Sequence, residues 1–294
     1  MTAVKRPPRF GLVLGGGGVR CLTHLGVVEE LENAGLRPEL ITSSSTGSLV
    51  GLLLAAGIPP GRIREALYRR DQRLAWLKPA WRRGGLFAPE AILRLLDRFS
   101  LPARLEELAI PLHVVVTDLV EGRQLVYDHG PCREIVLASA ALPGIYPPVE
   151  LEGHLCGDGG ITNNVPADLC RQLVGPRGVV LTSSLEMNAV MPAELLRHMP
   201  QVVYRSIYLP LVARRLQIQT RHSDLLIQPF SDQPLCFSRW REIVRFWSVG
   251  AMADLHERGR HHMGRHLPEL QAMLARLETE PERAPAERPR EDAA

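Results

Sequence analysis

The stretch Leu40-Ile-Thr-Ser-Ser-Ser45-Thr-Gly-Ser-Leu-Val-Gly51 decides how the chain is read. An apolar start gives way to small residues and then to a helical run. Ser45 is therefore expected at a strand-to-helix corner with its hydroxyl presented outward, the geometry of a nucleophile elbow. At such a corner the residues two before and two after the nucleophile must be small, because the strand and helix backbones approach closely. Ser43 and Gly47 meet that need, with serine at the first place where glycine is more usual. Alone, a small-x-Ser-x-Gly string is a weak signal, shared with ordinary serine- and glycine-rich turns.

The flanking sequence supplies the context that an elbow requires. Phe10–Leu14 is a short apolar strand, Val19–Ala34 has a helical pattern that stops at Gly35, and Leu40–Ser44 is the next strand, a β-α-β opening. Ser48–Ala56 reads as a buried helix closed by Gly57 and Pro59-Pro60. Leu112–Thr117 and Gly178–Thr182 are β-branched runs of the kind found in parallel sheets covered on both faces, and Asp224–Gln228 is a weaker one. The expected fold class is α/β, a three-layer α/β/α domain with a mainly parallel central sheet. Residues 1–8 read as an N-terminal extension, 9–277 as one main domain and 278–294 as an acidic, proline-rich tail. With Pro281, Pro285 and Pro289 and almost no large apolar residue, that tail cannot bury enough surface to offset its ordering entropy and is expected to be disordered.

Composition narrows the function classes. A chain of 294 residues with 45% apolar and 23% charged content is ordinary for a soluble globular protein. The first residues lack an apolar stretch with a cleavage site, and no apolar run reaches membrane-spanning length, so a cytoplasmic protein is expected. Cys21, Cys132, Cys156, Cys170 and Cys236 are scattered without Cys-x-x-Cys spacing, which argues against a disulfide framework or a zinc ribbon. Net charge is +3, and because the tail holds six acids against three arginines, the body is more basic than that. Between Arg62 and Arg83, eight basic and two acidic residues interleave with Leu74, Trp76, Leu77 and Trp81. Such a segment suits an anionic lipid interface, and equally an amphipathic helix that packs its tryptophans on the sheet. No nucleic-acid-binding motif accompanies the charge, so no nucleic-acid partner is expected.

Acyl transfer by a serine needs a nucleophile, a proton acceptor and donors for the developing oxyanion. The run Gly15-Gly-Gly-Gly18-Val-Arg20 follows a strand and precedes a helix, exposing backbone N–H groups suited to an anion. A nucleotide-phosphate loop is the competing use of such a run. Against it, Cys21 stands where the third glycine belongs, no Gly-Lys-Ser/Thr follows, and no acid closes the second strand. Asp158 lies in Leu155-Cys-Gly-Asp158-Gly-Gly160-Ile-Thr-Asn-Asn-Val-Pro166, where a short strand meets a glycine corner. A carboxylate there can point back toward the elbow, although the commoner use of Asp-Gly is a self-bonded turn. His256, His261, His262 and His266 raise a metal site, yet only His262 and His266 lie one helical turn apart without a convincing third ligand. Neither metal nor cofactor is expected. The stretch Val202–Gln219 is expected to be helical and kinked at Pro210, with Tyr204, Ile207, Tyr208 and Leu211 as a stripe for core or an acyl groove.

Four motifs in order now carry a family resemblance. Gly11-Leu-Val-Leu-Gly-Gly-Gly-Gly-Val-Arg20 with His24 and Gly26 behind it, Ser43 to Gly47, Ala138-Ser-Ala-Ala-Leu-Pro-Gly-Ile-Tyr-Pro-Pro-Val149, and Asp158-Gly-Gly-Ile-Thr-Asn-Asn-Val-Pro166 resemble the patatin-like phospholipases in sequence and spacing. Thr117-Asp118 with Gly122, and Ser223-Asp-Leu-Leu-Ile-Gln-Pro229, also look like the family, and the likeness spans roughly Arg9 to Leu270.

The resemblance implies a patatin-like fold and a Ser-Asp dyad in place of a Ser-His-Asp triad. Position by position, Ser45 matches the nucleophile, Asp158 the general base, and Gly16, Gly17 and Gly18 with Arg20 the oxyanion loop. The implied substrates are ester-linked acyl chains of phospholipids, lysophospholipids or neutral lipids, reached by peripheral contact with an anionic membrane at its inner face. A non-catalytic lipid-binding homologue and an acyltransferase using the same dyad are the rival readings. Two departures stand out: Ser43 replaces the first elbow glycine and Cys21 the last glycine of the oxyanion motif. If the backbone at Cys21 takes positive φ, strain on the order of 1–2 kcal/mol is expected there.

Overall fold

The computed structural model describes residues 9–69, 71–72, 89–187, 190, 193–197, 199–232 and 249–279. An eight-stranded sheet forms the middle layer. Its parallel part is made by β1 (Phe10–Leu14), β2 (Leu40–Ser44), β3 (Leu112–Asp118), β7 (Val179–Ser183) and β8 (Leu225–Ile227). β1 lies between β2 and β7, with β3 beyond β2 and β8 beyond β7, all parallel. The antiparallel strands β4 (Arg123–Tyr127), β5 (Val149–Leu151) and β6 (His154–Asp158) gather around β3.

Alternation along β1 divides the core between two faces, as the period of two in a strand requires. Phe10, Leu12 and Leu14 enter the larger apolar cluster, together with α1 (Leu22–Asn33), α2 (Thr46–Ala55) and α3 (Pro60–Tyr68). That face also takes α4 (Glu90–Leu96) and α5 (Cys132–Ser139). Val13 joins the smaller cluster on the opposite face with Val165, Cys170, Val174 and Val180. After the single-turn α6 (Gly160–Asn163), α7 (Ala167–Val174) covers that face, followed by α8 (Met199–His222). Helices on both faces of a sheet with a parallel centre make the three-layer α/β/α arrangement expected from the sequence.

Element boundaries follow the expected strands to within a residue or two. The first helical segment differs: a 3-10 turn over Gly18–Cys21 precedes α1, and Gly35 ends it at φ +72°. α8 is longer than the expected Val202–Gln219 and continues through Pro210, whereas the side chains of its stripe, Tyr204, Ile207, Tyr208 and Leu211, lie outside the described residues. Also outside them are Leu74 to Arg83 of the basic segment, Cys236, and the tail from 280 onward.

The C-terminal helix α9 (Val249–Thr279) packs across α1 at a point where neither helix has a side chain. A Cβ on Gly26 would stand 2.1 Å from the His256 carbonyl oxygen, and one on Gly259 would stand 2.0 Å from that of Thr23. Ion pairs flank this crossing, Arg260 Nε to Glu30 at 2.8 Å and Arg64 to Glu29 at 3.3 Å, and His256 hydrogen-bonds Glu29 at 2.5 Å. No helix among the described residues is long and apolar enough to cross a membrane.

Candidate active site

The parallel strands deliver their carboxyl ends to one edge of the sheet, the usual place for a site in an open α/β fold. β2 ends at Ser44, and Ser45 turns the chain into α2 with φ +53° and ψ −134°. For a residue with a side chain that conformation is strained, by an energy on the order of 1–3 kcal/mol. Hydrogen bonds hold both ends of its backbone. The Ser45 N–H donates to Ser139 Oγ at 2.9 Å, and its carbonyl accepts from Ser48 Oγ at 2.5 Å and from Ser48 N–H at 2.9 Å. Ser139 Oγ in turn donates to the Val115 carbonyl at 2.7 Å. Gly47 has no alternative, because a Cβ there would meet the carbonyl oxygens of Leu14 at 2.3 Å and Gly15 at 2.7 Å. Ser43 sits in regular strand, fully buried, so the backbone accommodates the serine that replaces glycine here, while its hydroxyl finds no hydrogen-bond partner among the described residues.

β6 brings the second side chain. Ser45 Oγ donates to Asp158 Oδ2 at 2.6 Å, and the Gly160 N–H donates to Asp158 Oδ1 at 2.7 Å. Asp158 is buried and Ser45 only 9% exposed. Burial pushes the Asp158 carboxyl up to about 6, against the lowering effects of the Ser45 and Gly160 hydrogen bonds and the Arg215 charge. A carboxylate of that basicity, in contact with a hydroxyl on a strained turn, is equipped to accept the serine proton.

The glycine loop lies beside this pair. Gly16 packs on Ser45, since a Cβ there would stand 2.7 Å from Ser45 Cβ. Its N–H is committed to the Asn164 carbonyl at 3.0 Å, and the Gly17 N–H rests on Thr46 Oγ1 at 3.3 Å. Among the described residues no acceptor takes the Gly18 N–H, whose residue has φ +60°. Arg20 folds back, with its Nε donating to the Gly17 carbonyl at 3.1 Å and its guanidinium 5.6 Å from the Phe230 ring centroid. Cys21 has φ −57° and ψ −19°. The strain considered for it is therefore absent, because the 3-10 turn carries the chain through right-handed helical conformation. Burial pushes its thiol up to about 12, leaving it unreactive.

His24 is a feature that spacing alone does not reveal. Its Nε2 lies 2.8 Å from the Gly15 carbonyl and its Nδ1 2.8 Å from Ser183 Oγ. A carbonyl only accepts, so Nε2 carries the proton and Nδ1 accepts from the serine. Burial lowers this imidazole to about 4, so it braces the loop as a neutral group. Of the C-terminal histidines, His256 is spent on Glu29 and His266 Nδ1 on the His262 carbonyl of its own helix. Among the described residues, no three His, Cys, Asp or Glu side chains gather as a metal set.

Apolar side chains are exposed on the segments that lead to Asp158. Leu119, Leu142 and Leu155 are 39%, 47% and 37% exposed. Leu142 follows Ala141, whose carbonyl accepts the Asp158 N–H, and the Leu119 N–H bonds the Leu155 carbonyl.

Comparison with known proteins places these residues in a wider set. A family model described as patatin-like phospholipase matches residues 12–171. An uncharacterized NTE family protein of Mycobacterium tuberculosis is 36% identical over 164 residues, 54% of this chain and 44% of that protein. Patatin-like phospholipase domain-containing protein 6 of Homo sapiens is 33% identical over 171 residues, 56% of this chain and 12% of that protein. The chain thus spans less than half the length of either relative. Among solved structures, VipD from Legionella pneumophila matches with a TM-score of 0.45 and 14% identity, over 87% of this chain and 67% of that one.

Proposed function

The chain belongs to the patatin-like phospholipase family, and from that premise we propose that it is a serine lipid acyl hydrolase working through Ser45 and Asp158. The reading rests on one observation above others, the 2.6 Å hydrogen bond from Ser45 Oγ to a buried, basic carboxylate. In the first half-reaction Ser45 Oγ attacks the ester carbonyl carbon while its proton passes to Asp158. The carbonyl π pair becomes an oxyanion beside the glycine loop. There the Gly18 N–H is unspent and the Gly17 N–H, held by Thr46 at 3.3 Å, is weakly enough bound to be shared. The pair then re-forms the carbonyl and expels the alkoxide, which takes the proton from Asp158 and leaves as the alcohol. A water repeats the sequence on the acyl-enzyme: its proton goes to Asp158, the Ser45 oxygen leaves and recovers that proton, and the fatty acid departs.

A long-chain ester is the substrate class favoured by the family and by the exposed Leu142, adjacent to the residue whose carbonyl holds the Asp158 N–H, which offers apolar contact to an acyl chain. Phospholipids and lysophospholipids carry such esters, and the enzyme would meet them by peripheral contact with a membrane surface. The test is release of free fatty acid from phosphatidylcholine and lysophosphatidylcholine dispersions by the purified chain, alongside fluorophosphonate labelling. Ser45→Ala is expected to abolish both and Asp158→Ala to reduce both by at least ~100-fold. Release at wild-type rates by either variant would overturn the assignment. Esterified acceptor accumulating in place of free acid, when an alcohol is added, would make the chain an acyltransferase.

A further inference from the structure

A continuous polar network runs behind the dyad and ends on residues outside the matched segment 12–171. Asn164 grips Gly16 at both ends: its carbonyl accepts the Gly16 N–H at 3.0 Å and its Nδ2 donates to the Gly16 carbonyl at 3.1 Å. The same Nδ2 donates to Glu186 Oε1 at 2.7 Å. Glu186 follows β7, and its side chain is 3% exposed. Arg215 of α8, its side chain 12% exposed, donates from Nη1 to Glu186 Oε1 at 3.2 Å and from Nη2 to the Gly160 carbonyl. The Gly160 N–H is the donor to Asp158 Oδ1. One peptide unit away from the base, then, the chain is held by a guanidinium whose other arm holds the carboxylate that anchors the oxyanion loop.

We propose that Arg215 and Glu186 are positioning residues of the acyl-transfer site, a buried cation-anion pair that locks the turn carrying Asp158 to the glycine loop at Gly16. The proposal rests on the dyad reading above. A buried ion pair is a poor device for stability alone, since apolar residues of similar volume commonly do as well. Its worth here is geometric, because the planar fork of an arginine fixes two acceptors at once. It fixes a Glu186 oxygen and the Gly160 carbonyl, which belong to the two halves of the site.

The pair also has an electrostatic consequence. Facing Asp158 are the Ser45 hydroxyl from the elbow, the Gly160 N–H from its own turn and, as the charged group, Arg215 from α8. Glu186 is bonded to that arginine. On β3, Asp118 is turned to His154, and on α7 Asp168 takes Asn163. Across the glycine loop, His24 is neutral. Removing the cation takes away the positive charge that lowers the Asp158 pKa and makes Asp158 harder to ionise. Removing the anion takes away a negative charge bonded to that cation and makes ionisation easier. The two changes must therefore move the pH dependence in opposite directions, which a loss of fold or a loosened helix would not do.

The experiment uses the full chain and a soluble p-nitrophenyl ester, with kcat/KM followed from pH 4.5 to 9 and circular dichroism as the check of folding. Arg215→Met is expected to raise the acid-limb midpoint and Glu186→Gln to lower it, each by on the order of one pH unit. The double variant R215M/E186Q, which removes both charges of the pair, is expected to return the midpoint close to wild type while kcat remains ~10-fold or more below it with little change in KM. Arg215→Lys keeps the charge without the fork, so it should hold the midpoint while losing rate. Midpoints that stay at the wild-type value in every folded variant, or a double variant with wild-type kcat, would overturn the pair's role. Ser45→Ala is run beside them: ester cleavage that survives it overturns the dyad reading itself and the coupling with it. Cleavage that depends on Ser45 with unmoved midpoints overturns the coupling alone.

Discussion

Ser44 and Asp158 occupy consecutive places along one edge of β3, Ser44 opposite Val115 and Asp158 opposite Val116. β4 pairs with residues 114–118 of β3 and so fills its other edge. β2 and β6 must then share the remaining edge, the first running parallel to β3 and the second antiparallel. Two strands arrive head-on, and the residues at their meeting tips are Ser44, the neighbour of Ser45, and Asp158. Backbone pairing, not the reach of a long side chain, sets the separation of Ser45 and Asp158.

Such a placement leaves no slack for a longer acid. Asp158→Glu keeps a carboxylate but adds a methylene in a pocket where a Cβ on Gly160 would already stand 2.8 Å from Asp158 Oδ1. Ester turnover by this variant is expected to fall ~100-fold or more, measured as kcat/KM at pH 8, and near-normal turnover would contradict the tight placement.

Because the base must be ionised, kcat/KM for a simple ester is expected to rise with pH through a single midpoint near 6, the value to which burial pushes Asp158. His24, lowered to about 4, adds no second limb between pH 5 and 8. A profile recorded for wild type and a His24→Gln variant checks this: the variant should lose rate but keep the midpoint.

Asp158 also costs stability. Its folded pKa lies above the model-compound value of 3.8, so its contribution is most favourable below about pH 4 and is lost as pH rises through about 6. Asp158→Asn is therefore expected to be more stable than wild type at pH 8, by ~2–3 kcal/mol. That gain should shrink toward zero as pH falls from 6 to 4. Urea titrations at several pH values measure it, and a gain independent of pH would contradict the buried-charge account.

Ser139 carries the strained elbow, taking the Ser45 N–H and passing its own proton to the Val115 carbonyl. Ser139→Ala leaves a buried donor and a buried acceptor unmet and is expected to cost ~1–3 kcal/mol. It should also lower kcat more than it raises KM. Ser139→Thr, which keeps the hydroxyl, should recover part of the rate if its methyl is accommodated.

Much of this arrangement is legible in the sequence, and what escapes it does so for a physical reason. Ser45, Gly47 and Asp158 stand out because close backbone approach at a strand end demands small neighbours, and runs of small residues are visible in one dimension. The sheet's parallel centre is equally plain from its β-branched apolar runs. Ser139 is hidden inside a run noted for its family pattern, since nothing local reveals that its hydroxyl bonds a residue 94 positions away. Arg215 and Glu186 are hidden more deeply: one arginine among several on α8 acquires meaning only from the carboxylate and carbonyl that tertiary packing brings to it. Cys21 shows the converse, a departure from a glycine that the 3-10 turn makes harmless.

The bare crossing of Gly26 and Gly259 has a consequence for the order of assembly. The helix that follows the glycine loop gains its outer cover only when residues 249–279 arrive, a contact of very long loop closure. During synthesis the ribosome must release those residues before that cover can seat. Any side chain at either glycine would hold the latecomer off, so a nascent chain bearing one would expose the outer face of α1 to proteases and chaperones.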